Sequence, residues 1–535
     1  MTAKSMIVAQ QPDACEVGAR IYMAGGNAAD AAIATGFAQG VLDQMMCGIG
    51  GFGVMQVYEP KSGTHEAITF LAQAPGSVRE GMWADLLEYE TRDGFGFVLK
   101  GRVNEMGAKS ICVPGSVKGF HYAHQKYGRL AWNDVLAPAI RMAEDGYRVQ
   151  NFEFTYRMAD DTLGRVSTNE KLRHTPDCAR LFYEADGQLR RPGSLVKNPD
   201  LARTLRAIAE RGPDAFYKGD IARAVDADMK ANGGFLSADD LANYEAAVEQ
   251  PLWGAFRGLK VAATPAPSCG PMLLRMLHTL EHFDLKALGH NSLDYIRVVA
   301  EAMKRAQVIK DNQIGDPRLV AVPTAAIIDP HAAAEDAAAI KRGERARVER
   351  ALAREAADTT HLCAYDRDGL AVSMTHTNGM QSGVVTPGLG FMFNGGLGTY
   401  DPRPGRVQSL APFKRRVTSM APTILFRDAK PYLLVGAPGG SNIPMGILQV
   451  ILNIVCFGMS VGDAVSAPRF AATGDAIDVS ARIPGYTCEA LGKMGYGTIR
   501  SMQSFIAARV HAILIDGGKV EGGADPAGGG MALAV

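Results

Sequence analysis

The 535-residue sequence predicts an α+β fold in which helices cover antiparallel sheet on both faces. Three observations lead there. Helical patterns recur through the chain before residue 310. Two β-rich runs, Thr359 to Tyr365 and Leu370 to Thr377, flank an Asp366-Arg367-Asp368-Gly369 turn and read as a hairpin. A strand, a glycine turn and an apolar helix then follow one another between Pro431 and Phe457.

In order along the chain, residues 13–42 read as two helices. Asp13 is placed to cap the first, which carries Val17, Ala19, Ile21, Tyr22 and Met23. Gly25-Gly26 ends it, and Asn27 caps the second, Ala28 to Leu42. That helix is so rich in Ala and Gly that it predicts a very close neighbour. Gly48 to Gly53 contains G-x-G-x-x-G, but a dinucleotide site needs strand, glycines and helix in that order. Here a helix precedes and the strand Val54 to Tyr58 follows, so the run reads as a bend where backbones pack closely.

Residues 115–150 and 198–245 read as helices, most clearly Ala131 to Gly146 and Pro199 to Arg211. A loop, Pro265 to Gly270, opens a helix from Pro271 to Phe283, and another runs from Ser292 to Val308. The charged stretch Ala332 to Ala357, with Lys341, Arg342, Arg345, Arg347 and Arg350, reads as helical up to the hairpin. Beyond the hairpin come Phe391 to Phe393, a long loop from Asn394 to Arg416, and strands Thr423 to Phe426 and Pro431 to Val435. The Gly436 to Ser441 turn and the helix Ile443 to Phe457 follow.

Lys plus Arg equals Asp plus Glu at 56 each, so the neutral chain offers no footprint for nucleic acid or an anionic membrane. The eight cysteines form no CxxC and no Cys/His cluster of zinc spacing. They are expected to be buried apolar residues in a reducing compartment. The stretch after Met1 lacks a signal-peptide core, and Met445 to Val461 is too short and broken to span a bilayer. The expectation is a cytoplasmic protein with no metal or organic cofactor.

The chemistry centres on Thr359. If the chain breaks between Asp358 and Thr359, that residue gains a free α-amine beside its own hydroxyl, and the amine can act as its general base. Gly439-Gly440, after a strand and opening a helix, points bare N–H groups outward, as an oxyanion site requires. Losing one such donor typically costs ~3 kcal/mol. His361, His376 and His511 show no HExxH spacing, and no G-x-S-x-G elbow occurs, though a serine-histidine-acid triad stays open on sequence alone. Asp366 and Asp368 read as solvated turn residues.

With these residues in view, the chain resembles the γ-glutamyltranspeptidase family of N-terminal nucleophile hydrolases, over nearly its whole length. The marks are Gly25 to Ala32, Gly212 to Gly219, Thr359-Thr360-His361, Ser419 to Thr423, Pro438 to Ser441, Ala467 to Phe470 and Gly522 to Pro526. The resemblance implies a four-layer αββα sandwich. It implies a large fragment, residues 1–358, and a small one, residues 359–535, held together as one structural unit and a heterodimer. Thr359 would be the nucleophile and Thr377 would orient it. The Gly439 and Gly440 N–H groups would form the oxyanion hole, and Thr418 and Ser419 match the hydroxyl pair that holds a substrate carboxylate.

The departures shape the substrate expectation. The family arginine that clamps the glutamyl α-carboxylate falls on Leu71, which cannot replace a bidentate clamp. The amide or acid and the aspartate that grip the α-amino group fall on Gly396 and Thr399, while an asparagine survives as Asn378. The Asp401 to Arg416 loop is too short for the family's lid. The expected reaction is therefore cleavage or transfer of a small amide, of the oxamate or acylase type, to water or an amine acceptor. The alternatives are a true γ-glutamyltransferase or glutathione hydrolase, and an inactive scaffold.

Overall fold

The computed structural model of the protein describes residues 5–91, 94–158, 164–348, 359–504 and 506–535. The hairpin forms as Thr360–Tyr365 paired antiparallel with Ala371–Thr377. Every residue of Ala371–Thr377 is buried, so it sequesters both faces and reads as a run rather than an alternation. The hairpin lies inside a seven-stranded sheet ordered Met531–Ala534, Met6–Ala9, Thr360–Tyr365, Ala371–Thr377, Phe52–Glu59, Thr64–Phe70, Ala247–Glu249. A six-stranded sheet runs Lys519–Ala524, His511–Asp516, Lys430–Gly436, Thr423–Arg427, Leu259–Ala263, Leu252–Phe256. Adjacent strands in both are antiparallel.

The two sheets share an apolar cluster that includes Val8, Cys363, Ile424, Leu434 and Ile513. Pro12–Met23 and Ala28–Leu42 pack with the first sheet through Ile33, Phe37, Met55 and Leu362. Gly270–Leu280, Leu293–Gln313 and Ile443–Val455 pack with the second through Leu273, Leu425 and Leu433. Among the described residues, no helix is long and apolar enough to cross a membrane.

Ala28–Leu42 is buried along its whole length and begins with a capping box between Asn27 and Asp30. Its close neighbour is the glycine bend: a Cβ on Gly40 would lie 2.9 Å from Gly48 Cα, and one on Gly53 would lie 2.5 Å from Thr375 O. Only glycine permits these backbone approaches.

Several expectations need correction. Asp13 does not cap the first helix, which starts at Pro12 with Gln11 at the cap and no side-chain bond. Proline in the first turn sets the start instead. The helix expected over 332–357 spans Pro330–Lys341, because Gly343 (φ +81°) breaks it despite the favourable charged residues beyond. Residues 349–358, Arg350 and Asp358 among them, lie outside the described residues. The helix expected to end at Val308 continues to Gln313, since neither Gly nor Pro intervenes before Gly315.

Asp366 is not a solvated turn residue. It is 4% exposed, and its carboxylate accepts the N–H groups of Ala28 (3.0 Å), Asp368 (2.8 Å) and Leu370 (3.1 Å). It thereby joins the hairpin turn to the N-terminus of a buried helix, where a negative charge is favoured. Asp368 is exposed and pairs with Arg129 at 2.9 Å. Asp366→Ala is expected to lower the unfolding free energy by ~1–3 kcal/mol, seen as a lower urea midpoint, because buried N–H donors lose their acceptor.

Candidate active site

Thr359 immediately precedes the Thr360–Tyr365 strand and is 3% exposed. Its hydroxyl donates to Thr377 Oγ1 at 3.2 Å, and Thr377 Oγ1 also accepts the Gly379 N–H at 2.7 Å. Sheet register produces the pair: Thr360 stands opposite His376, so residues 359 and 377 are the next step outward.

Thr360 points the other way and anchors the strand start. Its hydroxyl accepts from Gln39 Nε2 (2.9 Å) and donates to Gln11 Oε1 (3.2 Å). Gln11 Nε2 continues to Asp43 Oδ2 (3.0 Å), and His376 Nε2 bonds Gln39 Oε1 (2.9 Å). His361 Nδ1 bonds Thr375 Oγ1 at 2.8 Å, and its ring stacks on that of His511 at 6.3 Å. Burial pushes His376 down to about 3 and His511 to about 4. It also holds His361 well below the ordinary range, with His511 and His376 adding to the effect. These three rings are neutral near pH 7 and too weak as bases to serve a triad there.

The Lys430–Gly436 strand ends against His361, where a Cβ on Gly436 would overlap the imidazole. The chain thus leaves the second sheet at the end where Thr359 begins. Gly439 has φ +139° and Gly440 φ +54°, and a Cβ on Gly439 would lie 2.5 Å from Ala508 Cα. Glycine is demanded at 439 by both conformation and space. A single 3-10 turn, Gly440–Asn442, then feeds the Ile443–Val455 helix, whose first N–H groups have no intrahelical acceptor. Ser441 Oγ and Asn442 Oδ1 are buried here without a hydrogen bond among the described residues, a pair the sequence did not single out.

Thr418 and Ser419 approach the same end, because Thr423, four residues on from Ser419, pairs with Val435 beside Gly436. The 265–270 loop braces them. The Thr418 N–H donates to Pro267 O (3.0 Å), the Thr418 hydroxyl accepts from the Met420 N–H (3.2 Å), and Ser419 hydrogen-bonds the Cys269 thiol.

Leu71 is fully buried in the apolar core, and its carbonyl accepts from the Tyr244 hydroxyl at 2.8 Å. Asn378 adjoins Thr377. Its amide donates to Gln44 O (2.7 Å), while Oδ1 is buried without a hydrogen bond among the described residues. The Gly396 N–H donates to Asn394 Oδ1 (3.1 Å), and a Cβ there would lie 2.8 Å from Cys112 Sγ. The Thr399 hydroxyl donates to Gly396 O (2.8 Å) and accepts from Arg416 Nε.

Arg416 is the residue that sequence reasoning missed. It is 3% exposed, with its guanidinium 5.2 Å from the Phe52 ring and 5.1 Å from the Phe95 ring. Phe52 is the cross-strand partner of Thr377. The available signal was the basic triplet Lys414-Arg415-Arg416 just ahead of Thr418-Ser419. The segment before it folds onto itself, through Tyr400 Oη to Lys414 O (2.7 Å) and Lys414 Nζ to Ser409 O (2.8 Å). Among the described residues, no group of three or more His, Cys, Asp or Glu side chains is arranged to hold a metal ion.

Comparison with known proteins places this geometry in context. The family model described as Gamma-glutamyltranspeptidase matches residues 14–535. The chain is similar to the Acylase ACY 1 proenzyme of Pseudomonas sp. (strain V22), 36% identical over 522 residues, covering 96% of this chain and 90% of that protein. It is 33% identical over 491 residues to the Glutathione hydrolase proenzyme of Escherichia coli (strain K12), covering 87% of this chain and 80% of that protein. The crystal structure of cephalosporin acylase from Bacillus halodurans superposes with a TM-score of 0.88 at 27% identity, covering 100% of this chain and 96% of that one.

Proposed function

Because the chain belongs to the gamma-glutamyltranspeptidase family of amide-bond hydrolases and transferases, we propose that it is a four-layer αββα enzyme with an N-terminal threonine nucleophile. In this reading it cuts itself between Asp358 and Thr359 and then acts on a small amide whose acyl group is not a standard γ-glutamyl group. The observation that carries the reading is the Thr359–Thr377 hydroxyl pair at the head of a central strand. The proenzyme names of the relatives support activation by processing.

In the first stage Thr359 Oγ1 attacks the Asp358 carbonyl, the peptide shifts to an ester, and water cleaves it. The resulting α-amine has a reference pKa near ~8, so it is a usable base close to neutrality. It takes the hydroxyl proton, Thr359 attacks the substrate carbonyl, and the Gly439 and Gly440 N–H groups stabilise the oxyanion. The amine product leaves, and water or a second amine removes the acyl group. The Thr359–Thr377 bond fixes the attacking rotamer, a role the β-methyl reinforces.

Gel analysis with N-terminal sequencing tests the first stage. The purified protein is expected to separate into two fragments on a denaturing gel, the smaller starting at Thr359, and an intact chain that turns over amides at full rate overturns the reading. For the acyl group, kcat/KM on γ-glutamyl-p-nitroanilide is expected to fall ~10³-fold or more below that on the preferred amide, since neither Gly396 nor Thr399 supplies a carboxylate for the ammonium.

The pH profile separates the base from its neighbours. Activity should rise with pH through ~8 as the α-amine loses its proton. His376→Gln should leave that limb in place, because His376, held at about 3, is already neutral across it. A profile from pH 5 to 9 in which the limb moves would assign the base to the histidine network.

A further inference from the structure

We infer that Asp43 is a positioning residue for the nucleophile. It sets the direction of a buried hydrogen-bond chain that ends on Thr360, and its loop braces the Thr359–Thr377 pair from either side. The inference rests on Thr359 as the nucleophile and adds a group that acts on it through its neighbour.

Placement supports this. Asp43 ends the Ala28–Leu42 helix one turn beyond Gln39, so the two side chains share a face. Gln11 stands at the cap of the preceding helix but makes no capping bond there. Its side chain reaches across to Asp43 and Gln39 instead. Asp43, Gln11, Gln39, Thr360 and His376 are all buried. The same loop holds the neighbouring strand: Met46 O accepts the Asn378 N–H (2.8 Å), and Gln44 O accepts its side-chain amide (2.7 Å). Thr360 and Asn378 each adjoin one member of the hydroxyl pair, so one loop governs how the two hydroxyls face each other.

Direction follows from the chemistry of a carboxylate, which when ionised can only accept. Asp43 therefore turns the Gln11 amide so that Nε2 faces Oδ2 (3.0 Å) and Oε1 faces away. That oxygen accepts from Gln39 Nε2 (2.7 Å) and from the Thr360 hydroxyl (3.2 Å). Gln39 gives its other N–H to Thr360 Oγ1 (2.9 Å), which leaves Oε1 for His376. The His376 ring is neutral, so its Nε2 carries the proton and donates (2.9 Å), while Nδ1 is buried without a hydrogen bond among the described residues. Without the charge both amides can turn over together. Thr360 would then donate to Gln39 and accept from Gln11, and His376 would change tautomer.

The groups that face Asp43 are Glu153 and Arg157 from Asn151–Arg157, Arg509, Tyr147 and Cys47. Burial holds the Asp43 carboxyl above its ordinary range, against the Gln11 N–H and the charges of Arg157 and Arg509. Its Oδ1 has no hydrogen bond among the described residues, so Gln11 alone fixes the carboxylate and is fixed by it.

The experiment times self-cleavage of the full chain during cell-free translation, on a denaturing gel. Histidine labelled at its ring nitrogens reports the tautomer by NMR, with His376→Gln assigning the signals. Wild type is expected to show the Nε2–H form of His376 near neutrality. Asp43→Asn keeps the shape but can donate as well as accept, so both tautomers should appear and self-cleavage should slow ~10-fold. Thr360→Val, which cuts only the last link, should slow self-cleavage while His376 keeps the wild-type tautomer. Should Asp43→Asn fail to fold, wild type serves: as pH falls toward the ordinary carboxylate value of ~4, the second tautomer should appear. It should do so before His376 takes up its own proton at about 3. A single wild-type tautomer in Asp43→Asn, an unchanged cleavage rate there, or a tautomer that stays fixed in wild type down to that pH overturns the inference. Failure of the nucleophile reading shows separately, as a wild-type chain that stays uncut.

Discussion

Thr359→Ala is expected to leave the 57.0 kDa chain in one piece and to reduce amide turnover at least ~10³-fold. On the proposed mechanism the substitution removes the oxygen that attacks in both stages, so loss of processing and loss of turnover should arise together. The backbone has little reason to move, because strand pairing at residues 360–365 and the Thr360–Gln11–Gln39 bonds are untouched. Thr359→Ser keeps the oxygen and should still process, more slowly, for want of the methyl that restricts the rotamer. A variant Thr359→Ala that still splits, or that splits nowhere yet retains full turnover, would remove the basis of the mechanism.

Gly439→Ala is expected to cut kcat by ~10²–10³-fold. A Cβ at 439 would lie 2.5 Å from the backbone of Ala508, at a φ of +139° that side chains rarely adopt. The turn must then rotate, and its N–H groups lose the aim that the proposed oxyanion role requires. Donors in such sites act through placement, so a small rotation has a large effect on rate and a modest one on KM. Single-turnover measurements would show a slowed acylation step in already processed protein. Normal acylation by the variant would mean that the oxyanion is held elsewhere, with the buried Ser441 and Asn442 as the nearest side chains to test.

The parts of this fold that sequence shows best are those whose cause is local. Asn27 and Asp30 make a capping box within one turn, and Gly25 ends the preceding helix by its positive φ. The hairpin announces itself by a β-rich run on each side of Asp-x-Asp-Gly. The hydroxyl pair is legible too, because register carries residue 359 to 377 once the turn is known. What stays hidden depends on distant partners. Asp366 is buried because Ala28, 338 residues earlier, presents an N–H to it. Arg416 acquires its place from Phe52 and Phe95, which no spacing rule connects to it. The end of the Pro330–Lys341 helix is hidden for a different reason: the good helix formers beyond it point to continuation, whereas in the chain Gly343 prevails.

The Met6–Ala9 strand lies between Thr360–Tyr365 and Met531–Ala534, hydrogen-bonded to both. It comes from the portion before residue 358, and its two neighbours come from the portion after. On the proposed scission the two polypeptides would be woven through a common fabric, neither able to withdraw without unravelling the other. A molecule so cut would tolerate the break while folded, but it would have surrendered the covalent thread that guided its first assembly. Heating it past unfolding should then be a one-way journey, and the working life of each copy would be the lifetime of a single act of folding.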